Sequence, residues 1–304
     1  MTISSPGTDV HPQPAPAVAV VSVRGTSLWR DALRRLRRNR LAMAGAVVVV
    51  GLCLIAIFAD VLAPLPYTKT NFGRLNEPLS RDYPLGTDQL GRDLLARVLH
   101  GARLALFIGT CTVLVTAVGG GVLGLLAGFL ERWPSAVLMR LADVQLSFPF
   151  ILLALTINAI VGLGLRNIIL SLSAAGWVVY ARVVRGEVLS VKQRDFVQAA
   201  SALGAGRARL LLRHVLPNVA PSIIVVASLQ FSQSIVAEAA ISFLGFGVQP
   251  PTPAWGSMLS ESRDFLYVAW WLALFPGAAL ALTALGVNLL GDWLRDTLDP
   301  KLRV

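Results

Sequence analysis

The side chains best able to do chemistry in this sequence are amides and hydroxyls set within long apolar runs. Gln230, Gln233 and Ser234 stand at i, i+3 and i+4, one face of a helix, and Asn158 lies in another run. A carboxamide both donates and accepts hydrogen bonds. Such a face either lines a water-filled path or ties neighbouring helices together, and the spacing fits both. Ser147, Ser232 and Asn288 are further polar groups of the same kind. Glu238 falls at the end of its run, where a solvated or capping carboxylate is the expectation rather than a proton relay. No acid stands in the middle of a run, which disfavours a carrier driven by protons or sodium ions. Cys53 and Cys111 sit in apolar surroundings as small hydrophobes. The three histidines are scattered without metal-ligand spacing. No catalytic, cofactor-binding or metal-binding residue is therefore assigned to this chain.

Two polar groupings lie outside the apolar runs. Asp88, Arg92 and Asp93 form an acid–base cluster in YPLGTDQLGRD, suited either to docking a partner or to folding its own loop. The stretch QAASALGAGRARLLLRHVLP, 198–217, is basic and helix-forming on both sides of Gly204 and Gly206. Arg209 and Arg213 share a face at i, i+4. The reading is helix, turn, helix. Charge pattern alone leaves two uses open: resting on anionic headgroups, or docking another protein against the low relief of Ala199, Ala200 and Ala202.

The elements that must position these groups are membrane helices. Hydrophobic residues make up 55% of the 304 residues and charged ones only 14%, with mean hydropathy +0.66. That balance excludes an ordinary soluble domain. A span needs about 20 apolar residues, and six runs qualify: 41–59, 104–130, 144–165, 167–181, 215–237 and 266–291. The fourth is short and relies on snorkelling by Arg166 and Arg182. The stretch VQPPTPAW, 248–255, reads as a turn or re-entrant loop, with Trp255 at the membrane interface. Gly120, Gly124 and Gly128 mark one face of the second span as a close helix contact.

The net charge of +10 gathers beside the apolar runs, which points to lipid and topology rather than nucleic acid. Arg34, Arg35, Arg37, Arg38 and Arg40 precede the first span, and basic residues dominate 182–213. The positive-inside rule then puts both termini and the 182–217 loop in the cytoplasm, with the 65–103 loop outside. Residues 1–28 read as a flexible cytoplasmic tail and 29–304 as one transmembrane domain. The fold class is an all-α polytopic membrane protein of six transmembrane helices, with cytoplasmic helices between spans four and five.

The 198–217 segment also carries a spacing. Gln198-Ala199-Ala200 is followed by three residues, Gly204, nine residues, then His214-Val215-Leu216-Pro217. This resembles the cytoplasmic coupling loop of ATP-binding-cassette importer permeases, whose pattern is Glu-Ala-Ala, three residues, Gly, nine residues, Ile-x-Leu-Pro. Gln198 and His214 depart from it, and the glutamine removes the charge that could form a salt bridge there. YPLGTDQLGRD (83–93), YARVVRGEVLSVKQRDFVQAA (180–200), SFLGFGVQPPTPAWGSML (242–259) and NLLGDWLRDTLDPKL (288–302) are similar to the second membrane subunit of the dipeptide, oligopeptide and nickel permeases. Together they cover the chain from about residue 30 to its end. The resemblance implies a bacterial inner-membrane permease subunit with no enzymatic activity of its own. It implies a homologous second permease, two cytoplasmic ATPase subunits that bind ATP and Mg, and an extracytoplasmic substrate-binding protein. Gln198, Ala199, Ala200, Gly204, Arg207, Leu216 and Pro217 would form the ATPase-coupling loop. Di- or oligopeptides are the first expected cargo, and nickel or another small solute the alternative. A secondary carrier or a membrane scaffold is the remaining class.

Overall fold

The computed structural model describes residues 34, 36–130 and 133–298. The 1–28 tail, Arg35 and the end of the 288–302 motif lie outside the described residues. Every regular element among those described is a helix: α1 (Arg40–Leu62), α2 (Leu94–Phe129), α3 (Trp133–Leu146), α4 (Phe150–Val161), α5 (Leu165–Lys192), α6 (Asp195–Ala202), α7 (Arg207–Phe243), α8 (Trp255–Glu261) and α9 (Trp271–Leu298), with a 3-10 turn at Arg263–Phe265.

Five of these, α1, α2, α5, α7 and α9, are long and apolar enough to cross a membrane. The expected third span is not one helix. The run at 144–165 takes in the end of α3 and all of α4, two helices bent by 94° at the 147–149 break, so the count reaches six only if the bent pair is one span. Pro149 stands just before α4, and a proline disfavours helical backbone in the residue before it. α4 is much the more apolar of the two, and the run that qualifies as a span reaches only the last three residues of α3. The second span starts at Leu94 rather than Leu104, which shortens the loop expected at 65–103. The last starts at Trp271 rather than Leu266.

The tightest seam is α2 against α5. A Cβ on Gly124 would come within 2.6 Å of the Ala181 carbonyl oxygen, and one on Gly128 within 2.6 Å of Val188 Cβ. Gly120 meets the Trp177 carbonyl in the same way. The glycine stripe therefore sets the approach of the two backbones, as lipid-embedded helices require where burying apolar surface gives no drive. Around this seam α1 packs on α2 and α9, and α7 packs on α2, α5 and α9. Large apolar side chains such as Val47, Ile57 and Val61 on α1 face outward, which suits contact with lipid tails.

Polar bonds fasten α3 to α5. Gln145 Nε2 donates to the carbonyls of Ala174 (3.1 Å) and Ala175 (2.7 Å), and its Oε1 accepts from Trp177 Nε1 at 2.7 Å. Arg182 pairs with Asp143.

Candidate functional site

Among the described residues, the sequence-predicted polar side chains gather at the two ends of α2 and around a cleft between α4, α7 and α9.

At the Leu94 end, the loop preceding α2 folds around charge. Asp88 Oδ1 accepts the backbone N–H groups of Leu90 (2.8 Å) and Arg92 (2.9 Å). Its Oδ2 takes Arg92 Nε and Arg97 Nη1, both at 2.6 Å. Glu261, at the end of α8, accepts from the same Arg97 nitrogen at 2.9 Å and from Gln89 at 3.1 Å. Asp88, Arg92, Asp93 and Arg97 are all buried. Of the two uses open to Asp88, Arg92 and Asp93, the geometry accounts for the local one: Asp88 and Arg92 are turned on each other and on Arg97 and Glu261, Asp93 Oδ1 accepts from the backbone, and Asp93 Oδ2 is buried without a partner among the described residues. Asp93 caps α2, accepting the N–H of Leu95 at 3.0 Å. Burial pushes its carboxyl above the usual aspartate range, against the lowering effect of the N–H bonds it accepts.

Sequence reading missed Arg97 and Glu261. A partial signal existed: a basic residue in the first turn of a helix opposes the helix dipole unless an acid faces it. Trp255, expected at the interface, is buried, and its indole N–H donates to the Val98 carbonyl at 3.0 Å. The region expected to turn or re-enter is closed by α8, packed on α7 and α9. Glu238 is also buried, bonded by the Ser242 hydroxyl at 2.6 Å. It neither caps its helix nor faces solvent, because α7 continues to Phe243.

The cleft has a volume of about 500 Å³. Gln230, Gln233 and Asn288 line it, with Phe150, Ile151 and Val236 among the apolar walls. Two residues expected with them are elsewhere. Ser234 is buried and donates to the Gln230 carbonyl at 2.8 Å, the ordinary resting place of a helical serine. Asn158 is fully buried and spends its amide on the Phe246 carbonyl, tying α4 to the segment after α7.

At the Phe129 end lies the 198–217 segment. Its first helix, α6, packs through Val197 onto a cluster that includes Val188, Val191, Leu210 and Val215. Gly204 ends it at φ +83°, the left-handed position that favours glycine. The N–H of Ala205 reaches back to the Ala200 carbonyl at 3.1 Å. The expected second short helix is not separate. It opens at Arg207 and runs through a π-helical turn, Leu210–Val215, straight into the span. Pro217 has no N–H to give, and the ladder immediately before it shifts by one residue, with Leu216 N–H bonded to the Leu211 carbonyl.

Ala200 and Leu216 pack inward on the cluster. Gln198, Ala199, Gly204, Arg207 and Pro217 are exposed. Gln198 Nε2 donates to the Gln193 carbonyl at 3.1 Å, a bond that a glutamate could not donate. Leu203 is 89% exposed and Leu212 63%. Gln198, Arg207 and Lys192 also border a second cavity, of about 900 Å³, against the end of α2.

A helical membrane bundle with an amide-lined cleft has the build of a membrane transport component. Residues 120–304 match the model of a binding-protein-dependent transport system inner membrane component, and residues 27–78 match the N-terminal transmembrane domain of oligopeptide transport permease C. The chain is 42% identical over 278 residues to a dipeptide transport system permease protein of Alkalihalophilus pseudofirmus, covering 91% of each. It is 43% identical over 291 residues to a glutathione transport system permease protein of Pectobacterium atrosepticum, covering 95% of each. It is 38% identical over 283 residues to an oligopeptide transport system permease protein of Bacillus subtilis, covering 93% of each. The chain belongs to the inner-membrane permease family of binding-protein-dependent, ATP-binding-cassette transport systems.

Proposed function

We propose that this chain is one of two membrane subunits of an ATP-driven importer of di- or oligopeptides, and that α6 with its Gly204 turn docks on a cytoplasmic ATPase. Both termini and the α6 end face the cytoplasm in this reading, and the Leu94 end faces outward, where a substrate-binding protein delivers cargo. The ATPase subunits bind ATP and Mg and carry out hydrolysis. A second, homologous permease supplies the other wall of the path.

The observation that carries the coupling role is the exposure of Phe196, Leu203 and Leu212 around α6, at an end crowded with arginines. Apolar side chains that stand in water outside the membrane mark a protein contact. Peptide cargo is supported by the relatives, named for dipeptides, oligopeptides and glutathione, itself a tripeptide. The test is a complex reconstituted with its ATPases, second permease and binding protein. Tripeptide uptake should require ATP, and Leu203→Cys should cross-link to the ATPase. Uptake by this subunit alone under a proton gradient would sink the reading.

A further inference from the structure

The carboxamides within the helical bundle fall into two groups. Gln145, Asn158 and Asn167 each donate to main-chain carbonyls of this chain. Gln230, Gln233 and Asn288 make no side-chain hydrogen bond with any described residue, and all three line the cleft between α4, α7 and α9. Ser232, on the same wall, is already engaged with the Ala284 carbonyl at 3.2 Å. Among the described residues, no ionisable side chain lines this cleft. An unbonded amide facing lipid would be costly. Gln233 and Asn288 are exposed and Gln230 half-buried, so all three are open to a polar group that enters the cleft.

We propose that Gln230, Gln233 and Asn288 form a subsite that reads the main-chain amides of a passing peptide and takes no account of side-chain charge. This rests on the peptide-importer reading above. A carboxamide offers the same N–H and C=O pair that a peptide group offers, so each can donate to a peptide carbonyl and accept from a peptide N–H. A neutral wall gives acidic and basic side chains neither a counter-charge nor repulsion. A volume of about 500 Å³ lies within the range of small-molecule sites and holds a short peptide segment. A bare divalent cation would find amide oxygens but neither carboxylate nor imidazole, a poor match for nickel.

The test uses the complete complex in proteoliposomes with saturating, fully loaded binding protein, so that flux differences report the membrane step. The probes are trialanine, its backbone N-methylated analogue, and the same tripeptide with a central Glu or Lys. The wild type should carry trialanine about tenfold faster than the N-methylated form, the value of one net hydrogen bond. The Glu and Lys peptides should travel at rates close to trialanine. Gln233→Leu with Asn288→Leu should bring the tenfold preference down to about twofold, and Gln233→Asn should keep most of it. Gln233→Glu should slow the Glu peptide more than the Lys peptide. The proposal is overturned if the wild type does not discriminate against N-methylation, if the leucine variants discriminate as the wild type does, or if central charge alone governs flux. Absence of tripeptide uptake by the wild type would instead remove the peptide-importer reading itself.

Discussion

At the Leu94 end of α2, Asp88, Arg92, Arg97 and Glu261 spend their charge on one another within a buried knot. At the Phe129 end, α6 rests on a small apolar cluster through Val197 and leaves Phe196 and Leu203 uncovered. One end holds its polar groups inward and closes a loop that would otherwise be free. The other presents apolar side chains that the described residues leave largely uncovered. The difference separates a part whose polar groups are met within this subunit from a part whose proposed use is contact with another protein.

The largest expected effect tests the first half of that contrast. Asp88→Ala strips the shared partner from two buried arginines and should destabilise the fold by about 3–5 kcal/mol, read as a lower unfolding midpoint of the detergent-purified complex. Leu203→Ala at the other end should leave that midpoint within about 0.5 kcal/mol while uncoupling ATP hydrolysis from uptake. Equal midpoint losses at the two ends would erase the distinction.

Gly124→Val comes next. It forces α2 from the Ala181 backbone and should cost about 1–3 kcal/mol by overpacking. Because α2 connects both ends, the loss should appear in midpoint and transport together. Gly204→Ala meets open space and pays only for its positive φ, about 1 kcal/mol. It should therefore impair coupling with little change in the global midpoint.

The smallest effect concerns Asp93. Asp93→Asn keeps the oxygen that caps α2 and removes a buried charge, so it should shift stability by only a few tenths of a kcal/mol. The sign depends on pH. The carboxyl is raised in the folded state, so its contribution is fully present below the usual aspartate pKa and is lost as pH rises through the raised value. Titrating upward across that window, the wild type should lose ground to Asp93→Asn in the unfolding midpoint. A wild type that gains ground would mean an unrecognised cation sits beside Asp93.

Much of this was legible in the sequence where the signal is local. Apolar runs located the five spanning helices, and Gly120, Gly124 and Gly128 at i, i+4 spacing marked the close-packing face of α2 without disclosing that α5 meets it. Gly204 announced its turn. Long-range pairings left no such trace. Arg97 meets Glu261 across 164 positions, and nothing in a single sequence links a residue opening one helix to one closing another. For Ser234 and Asn158 both lining a path and tying helices stayed open, because polarity in an apolar run does not disclose which carbonyl will absorb it. The bend at 147–149 was hidden because α3, with Arg140, Asp143 and Gln145, is too polar to count as part of an apolar run, so nearly all of it fell outside the expected span.

The π-helical turn at Leu210–Val215 has a consequence for azimuth. In an α-helix each residue advances about 100° around the axis, and a π turn takes up extra chain without advancing the rest at that rate. Gln230 and Gln233 point into the cleft partly because of how much chain the turn before Pro217 absorbs. Deleting one residue from 210–215 would leave α7 a helix of unchanged character but rotate it by about a quarter turn or more, carrying its amides off the cleft and its apolar face with them. The segment just before Pro217 thus fixes the compass bearing of the residues that line the cleft.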